Sequence, residues 1–177
     1  MTIYIAFLRG INVGGKKIIK MEKLKDIFKS LYFQNVKTYI QSGNVIFDST
    51  EESADILYKI ETELENVLGY KVTSIIRTAD ELEEIIKQNP FSASEDVEKQ
   101  YVTFLYREPT VEAADRLMSY KNDVDDFCVT HREVFLLCGK GYGKTKFSNH
   151  FLESKLDVLA TTRNWKTINK VLNMIKN

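Results

Sequence analysis

Two loop-like stretches of the sequence carry residue types that could bind an anion. Residues 9–17 read Arg-Gly-Ile-Asn-Val-Gly-Gly-Lys-Lys, and residues 41–44 read Gln-Ser-Gly-Asn. Glycines let backbone N–H groups converge on an anion because no Cβ stands in the way, and arginine and lysine add positive charge. These stretches therefore predict a site for a phosphate or carboxylate group.

A third stretch near the end of the chain, residues 161–165, reads Thr-Thr-Arg-Asn-Trp and is interpreted as a counterpart of the first two. Hydroxyl and amide side chains there can donate and accept hydrogen bonds, and the indole could stack on a flat ligand. The predicted ligand-binding residues are Arg9, Asn12, Gly14, Gly15, Lys16, Ser42, Asn44, Thr162, Arg163, Asn164 and Trp165.

Each of these residues also has a structural interpretation that the sequence leaves open. Gly14 and Gly15 could only shape a turn, and Asn44 could only bind the backbone of its own loop. Asn164 could only cap a helix, and Trp165 could only fill the core.

No catalytic constellation accompanies the loops. The two histidines, His131 and His150, are not part of a Ser-His-Asp order, a metal-ligand spacing or a dinucleotide fingerprint. The sequence therefore predicts no metal site, identifies no cofactor and no catalytic residue, and leaves open whether the protein is an enzyme.

Two near matches to nucleotide- and RNA-binding motifs are incomplete. Gly10-x4-Gly15-Lys16-Lys17 resembles a P-loop but has lysine where the magnesium-binding hydroxyl belongs. Residues 3–8 resemble the first strand motif of RNA-recognition domains, yet residues on both faces of that strand are apolar, which predicts a covered sheet.

The elements that must position these loops follow from hydrophobic spacing. Residues 3–8 form an apolar run typical of a buried strand, and apolar residues at helical spacing begin at Met21. Further predicted strands cover residues 36–40, 45–47 and 71–76. Helices are predicted after two capping boxes, Ser49 with Glu52 and Thr78 with Glu81.

The second half gives the same order of predicted elements. Strands are expected at residues 101–106, 127–129, 134–137 and 158–161, and helices around Ala114, around Phe147 to Leu152, and after Asn164. Each half thus reads βαββαβ plus a helix, which is the order of the ferredoxin-like fold.

The predicted fold class is therefore α+β, with two tandem ferredoxin-like domains. The predicted domains are residues 1–90 and residues 101–177, joined by a polar linker at 91–100. The alternative is a single mixed α/β sheet.

This topology predicts which loops meet. Strands one and two run parallel with strand three between them, so residues 9–17 should lie beside residues 41–44. In the second half, the glycine loop Gly139–Lys144 should lie beside residues 161–165, because strands three and four end at one edge.

Composition indicates the protein class. The chain has 177 residues with 25 Lys+Arg and 25 Asp+Glu, so the net charge is zero. A protein that holds nucleic acid or a membrane by bulk charge is usually basic, although a local basic patch is compatible with zero net charge. We expect a cytoplasmic protein without membrane spans, since no signal peptide or long apolar run is visible.

Three motifs resemble those of a known family. The sequence reads Arg-Gly-Ile-Asn-Val-Gly-Gly at 9–15, Thr-Tyr-Ile-Gln-Ser-Gly-Asn at 38–44 and Thr-Thr-Arg-Asn-Trp-Lys-Thr at 161–167. Over nearly its whole length the chain closely resembles a bacterial family described only as a domain of unknown function. The resemblance implies two ferredoxin-like domains and no established activity. Gly141-Tyr142-Gly143 also fits that pattern, whereas residues 144–148 depart from the Ser-Lys-Leu that the resemblance implies there.

Three functions follow as hypotheses. The first is binding, with or without turnover, of a phosphorylated or carboxylated small molecule at the glycine-rich loops. The second, less favoured, is a nucleic-acid-binding module using cations such as Lys16, Lys17 and Lys144. The third is a structural or interaction protein in which the loops fix the geometry between the domains, so that Arg163→Ala should lower the melting temperature. The oligomeric state is not predicted.

Overall fold

A computed structural model describes all 177 residues of the chain. The first half contains β1 (Thr2–Leu8), α1 (Met21–Ser30), β2 (Gln34–Tyr39), β3 (Asn44–Ser49), α2 (Ser53–Leu68), β4 (Ser74–Thr78) and α3 (Ala79–Lys87). The second half contains β5 (Gln100–Leu105), α4 (Val111–Met118), β6 (Asp125–Thr130), β7 (Glu133–Cys138), α5 (Asn149–Leu156), β8 (Ala160–Asn164) and α6 (Trp165–Lys176).

The eight strands form two four-stranded antiparallel sheets, ordered β2-β3-β1-β4 and β6-β7-β5-β8. Because β3 is antiparallel to both of its neighbours, β1 and β2 run parallel on either side of it. This is the topology of two ferredoxin-like halves, so the predicted α+β class and the predicted element order are confirmed.

The core of the first half explains why these segments fold. Alternate residues of β1, beginning with Tyr4, belong to the same cluster as the buried face of α1 and α2. Phe47 on β3 lies at its centre, with ring centroids 4.5 Å from Phe33 and 5.4 Å from Phe28. Each such side chain contributes roughly 1.5–3 kcal/mol by leaving water.

One of the two predicted capping boxes is confirmed and the other is wrong. Thr78 Oγ1 accepts from Glu81 N, and Glu81 Oε2 accepts from Thr78 N at 2.8 Å. Ser49 instead pairs with Thr2 in the sheet, and α2 begins only after Glu52, which makes no side-chain capping bond. Residues 50–52 separate Ser49 from the start of α2, whereas α3 begins directly after Thr78, so only Thr78 stands at the capping position.

Two further boundaries differ from the sequence-based predictions. The strand expected at 71–76 begins at Ser74 and continues to Thr78. Phe147 precedes α5 rather than belonging to it, because Ser148 caps that helix by accepting from Phe151 N at 3.3 Å.

The two halves repeat individual hydrogen bonds as well as element order. Leu8 N donates to Gly43 O in the first half, and Leu105 N donates to Arg132 O in the second. A glutamate of the second helix accepts from the first residue of the last strand in both halves, at 2.9 Å in each case. The pairs are Ser74 with Glu61 and Ala160 with Glu153.

The loops are where the halves differ. After its first strand, the first half carries residues 9–20, whereas the second half needs only residues 106–110. After its third strand, the second half carries residues 139–148, whereas the first half needs only residues 50–52. The two predicted glycine loops are therefore extra segments on a repeated frame, which makes them the places to look for function.

By contacts, the chain divides into two compact units, Met1–Glu83 with Val171–Asn177 and Glu84–Lys170. The domain ranges 1–90 and 101–177 drawn from the sequence stay a prediction. Within the predicted linker, Gln100 begins β5 and its side chain accepts from Asn89 Nδ2 at 2.9 Å. None of the helices has the length and apolar composition that a membrane span needs.

Candidate functional site

The loop after β1 forms a small β-hairpin of its own. Val13 and Lys16 make an antiparallel bridge, and Asn12 N donates to Lys17 O at 3.1 Å. Gly14 and Gly15 form the turn with φ values of 58° and 72°. Positive φ at both central positions defines a type I′ turn, which explains the glycine pair without any ligand.

Asn12 fixes this hairpin to the next turn of the sheet. Its Nδ2 donates to Gln41 O at 2.7 Å and to Ile19 O at 3.2 Å, while its Oδ1 accepts from Ile19 N at 2.8 Å. One side chain thus closes the base of the loop and joins it to the β2–β3 turn. The predicted adjacency of residues 9–17 and 41–44 is a feature of the structure. We call residues 9–20 together with residues 40–44 the hairpin corner.

Close packing of Gly43 against the side chains of Ile11 and Leu8 holds the two segments of the hairpin corner together. Gly43 has φ +82°, and a Cβ added there would lie 2.5 Å from Ile11 Cδ1 and 3.0 Å from Leu8 Cβ. Ile11 is buried beneath this turn. Glycine is therefore required at position 43 both for its backbone angle and for space.

Ser42 and Asn44 serve this corner internally. Asn44 is fully buried, and its Nδ2 donates to Tyr39 O at 2.8 Å and to Ser42 Oγ at 3.0 Å. These bonds close the β2–β3 turn, as the structural interpretation of Asn44 expected. Assignment of Ser42 and Asn44 to ligand binding stays a prediction.

The tip of the hairpin corner exposes its cations and part of its apolar surface. Lys16 and Lys17 are exposed, and Lys17 Nζ lies 3.3 Å from Lys71 O and 5.4 Å from the centre of the Tyr70 ring. Val13 is 65% exposed and Ile18 is 71% exposed. Arg9 is half-buried at the base of the loop, where its N–H donates to Thr73 O.

The second predicted cluster, residues 139–144 with residues 161–165, is joined through Asn149. Tyr142 Oη accepts from Asn149 N at 2.8 Å, and Asn149 Nδ2 donates to Ala160 O at 2.9 Å. Thr162 Oγ1 donates to Asn149 Oδ1 at 3.0 Å and lies 2.8 Å from Thr103 Oγ1. Thr162 is thus part of a polar network inside its own half.

The remaining residues of this cluster have structural roles that account for them. Asn164 Oδ1 accepts from Thr167 N at 2.8 Å and caps α6, and Trp165 is half-buried in the first turn of that helix. Arg163 is buried, its Nη1 donates to Thr161 Oγ1 at 2.7 Å, and burial lowers its pKa to about 10. Ligand binding by these residues stays a prediction.

The structure does not have the geometry that either near match, to a P-loop or to an RNA-recognition domain, would need. A P-loop needs its Gly-Lys pair at the start of a helix, but α1 begins at Met21, after Gly14-Gly15 has turned the hairpin. Base stacking on the sheet needs an open face, but Ile5 and Phe7 of β1 are fully buried.

Candidate acid–base groups do not gather at the hairpin corner. Both histidines are exposed in the second half, where His131 Nδ1 lies 3.6 Å from Glu108 Oε1. Glu61 is half-buried behind β4, and desolvation raises its pKa against the opposing effect of its hydrogen bond from Ser74 N. Glu153 accepts from the first residue of β8 in the same way. The position of Glu61 therefore follows from the repeated fold and does not require a catalytic role. No group of three or more His, Cys, Asp or Glu residues is placed to hold a metal ion.

Sequence reasoning missed the groups that organise the corner. The carbonyls of Gln41 and Ile19 hold Asn12, and no side-chain pattern marks a backbone acceptor in advance. It also missed a groove of about 530 Å³ in the first unit, which is separate from all predicted site residues. The groove is assembled from distant segments, so no local motif signals it.

The repeated βαββαβ frame, with one extra loop in each half, defines a protein made of two ferredoxin-like halves. The profile of the family described as "Protein of unknown function (DUF1697)" matches residues 1–135. The chain belongs to this family.

A solved structure supports the fold over the full length. The conserved bacterial protein SP0830 from Streptococcus pneumoniae is similar with a TM-score of 0.80 and 24% sequence identity, covering 100% of this chain and 99% of that chain. At this identity the similarity shows the fold alone. No curated protein matches the chain.

Proposed function

We propose that the protein binds an anionic ligand at the hairpin corner through phosphate or carboxylate groups. One observation supports this most directly: the Gly14-Gly15 turn and the Lys16 and Lys17 side chains are exposed together on a hairpin that Asn12 holds in place. A Cβ at Gly14 or Gly15 would meet nothing within 4 Å, so a ligand can approach the backbone there.

The form of the corner favours a ligand with several anionic groups. An exposed lysine interacts with one anion through high-dielectric solvent, where the attraction at 4 Å is only about 1 kcal/mol. A ligand with adjacent phosphates can contact both lysines and the backbone N–H groups of the turn at once. Because the hairpin is already fixed, little conformational entropy is lost on binding.

The proposal is restricted to binding. No reaction step is assigned to the protein.

Titration calorimetry with tripolyphosphate at low salt tests this proposal. We expect saturable binding that Lys16→Glu weakens by about tenfold, equivalent to about 1.4 kcal/mol. Lys170→Glu on α6 is the matched control because Lys170 is also an exposed lysine and its substitution changes the net charge equally. Absence of binding, or equal losses in the two variants, would reject the proposal.

A second candidate, binding of single-stranded nucleic acid, is favoured by the exposed apolar residues beside the cations. Val13 and Ile18 lie on the same hairpin as Lys16 and Lys17, and a strand laid along it would meet apolar surface and charge together. Its observed affinity should fall steeply with salt, and Lys17→Ala should reduce the slope of log K against log salt by about 0.7. Failure of a labelled oligonucleotide to shift at low salt rejects this candidate without affecting tripolyphosphate binding.

A further inference from the structure

The groove in the first unit lies on different residues from the hairpin corner. Its volume of about 530 Å³ is within the usual range of small-molecule sites, roughly 300–1,000 Å³. Lining side chains come from α1, from the edge strand β2, from β3 and from the last turn of α6. All of these residues belong to the same compact unit, so the groove is a feature of one folded body.

One part of the lining is apolar. Phe33, just before β2, and Val36 on β2 are almost fully buried on the face of the sheet that α1 covers. Ile46 on β3 is buried on the opposite face, because it pairs with Lys37, the residue after Val36. Ile3 and Ile175 are partly exposed at the groove. An apolar chain or ring lying on these side chains would remove more apolar surface from water, at about 25 cal/mol per Å².

The other part of the lining is basic. Lys25 and Lys29 stand one turn apart on α1, and both line the groove together with Lys37. Like charges at this helical spacing repel by about 0.2–0.5 kcal/mol, and an anion placed between them would remove that repulsion. Lys37 has a different role, because its Nζ donates to Met174 O at 3.2 Å near the end of α6.

One carboxylate also lines the groove, and its position limits where an anion can sit. Asp48 Oδ2 accepts from Asn35 Nδ2 at 2.6 Å on the β2–β3 side. An acidic head group would therefore avoid that side and prefer the α1 side, where Lys25 and Lys29 face it. Basic and apolar portions are thus separated within one groove.

We infer that this groove binds a small amphiphilic anion, with its acidic head group between Lys25 and Lys29 and its apolar body against Phe33 and Val36. The positive charge of the two lysines indicates an acidic head group, and the apolar side chains indicate an apolar body. This site is additional to the proposed anion site at the hairpin corner and does not depend on it.

Three probes separate the contributions of head group and body: octanoate, 1-octanol and acetate. In ¹H–¹⁵N correlation spectra we expect octanoate, below its micellar concentration, to shift the amide resonances of Phe33, Val36 and Lys25 in a saturable manner. Acetate should bind at least about tenfold more weakly because it lacks the body. Equal binding of acetate and octanoate, or no saturable shift with octanoate, would overturn the inference.

The double variant Lys25→Gln with Lys29→Gln tests the head-group assignment. It should weaken octanoate binding by about tenfold and leave 1-octanol binding within about twofold, since only the anion loses a partner. Lys23→Gln, an exposed lysine of the same helix that does not line the groove, should change neither. Unchanged octanoate affinity in a double variant with the wild-type melting temperature would contradict the inference.

A membrane surface could present the same chemistry, so the source of the anion needs its own measurement. Co-sedimentation with phosphatidylglycerol vesicles should be absent, or should persist unchanged in the Lys25 and Lys29 double variant. Vesicle binding that this variant abolishes would overturn the assignment to a free amphiphile.

Discussion

At the scale of single residues, Asn12 is the side chain on which the hairpin corner most depends. It makes three hydrogen bonds that join the base of the loop to the β2–β3 turn, and its backbone adopts φ 53°. Asparagine tolerates this left-handed region better than most residues because its short amide can bond locally. The structure gives Asn12 a positioning role, and its assignment from the sequence as a ligand contact stays a prediction.

Replacing Asn12 by alanine should therefore release the loop. We expect Asn12→Ala to lower the free energy of unfolding by about 2 kcal/mol through lost hydrogen bonds and the cost of positive φ. Urea denaturation measures this loss, and hydrogen exchange at residues 13–18 should accelerate more than at β1.

Asn12→Asp provides the control for that experiment. It keeps the acceptor for Ile19 N and the tolerance for positive φ, but a carboxylate oxygen replaces the amide that donates to Gln41 O and Ile19 O. Because oxygens without a hydrogen then face each other, the loss of stability should be at least as large as with alanine. Equal stability of Asn12→Ala and the wild type would show that the corner is held by other contacts.

Cys138 gives a pH-dependent prediction at the same scale. Burial, with a smaller contribution from the nearby charge of Asp125, raises the pKa of the thiol to about 11, while Thr145 acts in the opposite direction. In the unfolded chain the thiol ionises near 8.5. Between these values the unfolded state holds fewer protons, so this group's contribution to stability is full below the lower value and is lost as pH rises towards the upper one.

Urea denaturation of wild type and Cys138→Ala at pH 8 and pH 10 measures that contribution. The stability advantage of the wild type should be smaller at pH 10 than at pH 8. An advantage that stays constant, or grows, would show that the thiol is not shielded as described. Cys128, which is only partly buried, should also react first with a thiol reagent at pH 8.

At the scale of elements, the two capping boxes show why one identical pattern succeeded and the other failed. Both segments read hydroxyl-x-x-Glu, and only Thr78 stands where a strand ends and a helix follows at once. Ser49 is still paired with Thr2, and the helix starts only at Ser53. Thr78 is also paired, with Tyr4, so the two boxes differ in the distance from the end of the strand to the start of the helix. The hydroxyl-x-x-Glu pattern does not contain that distance.

The difference between the boxes can be measured with two matched glutamate substitutions. Glu81→Ala should lower stability by about 1 kcal/mol because Thr78 N loses its acceptor. Glu52→Ala should stay within about 0.5 kcal/mol, since Glu52 is exposed and makes no side-chain capping bond. Equal losses on thermal or urea denaturation would contradict the observed helix start.

At the scale of the whole molecule, the repeated element order was readable from the sequence because each half carries the same alternation of strand and helix spacing. The pairing of Leu8 N with Gly43 O, and of Leu105 N with Arg132 O, then follows from the shared topology. The unit boundary was not readable. Val171–Asn177 group with the first unit although they end the second repeat, because contacts rather than chain order define a compact body.

Some features of the candidate sites could likewise be predicted from the sequence, and others could not. Residues 9–17 and 41–44 were found because glycine, amide and cation types cluster there and the topology joins them. The structural roles of the predicted site residues are visible only in three dimensions. Asn44 and Arg163, for example, are buried in the folded chain. Lys25 and Lys29 cannot be told from an ordinary polar helix face in the sequence, because the fold is what places Phe33 and Val36 beside them.

If the fixed hairpin at the corner binds anions, titration with tripolyphosphate should shift the amide resonances of Gly14, Gly15 and Lys16. We expect saturable shifts at these residues, with the midpoint at about tenfold higher concentration in Lys16→Glu and unchanged in Lys170→Glu. Saturable shifts elsewhere with none at residues 14–16, or no shift at low ionic strength, would contradict anion binding at the hairpin.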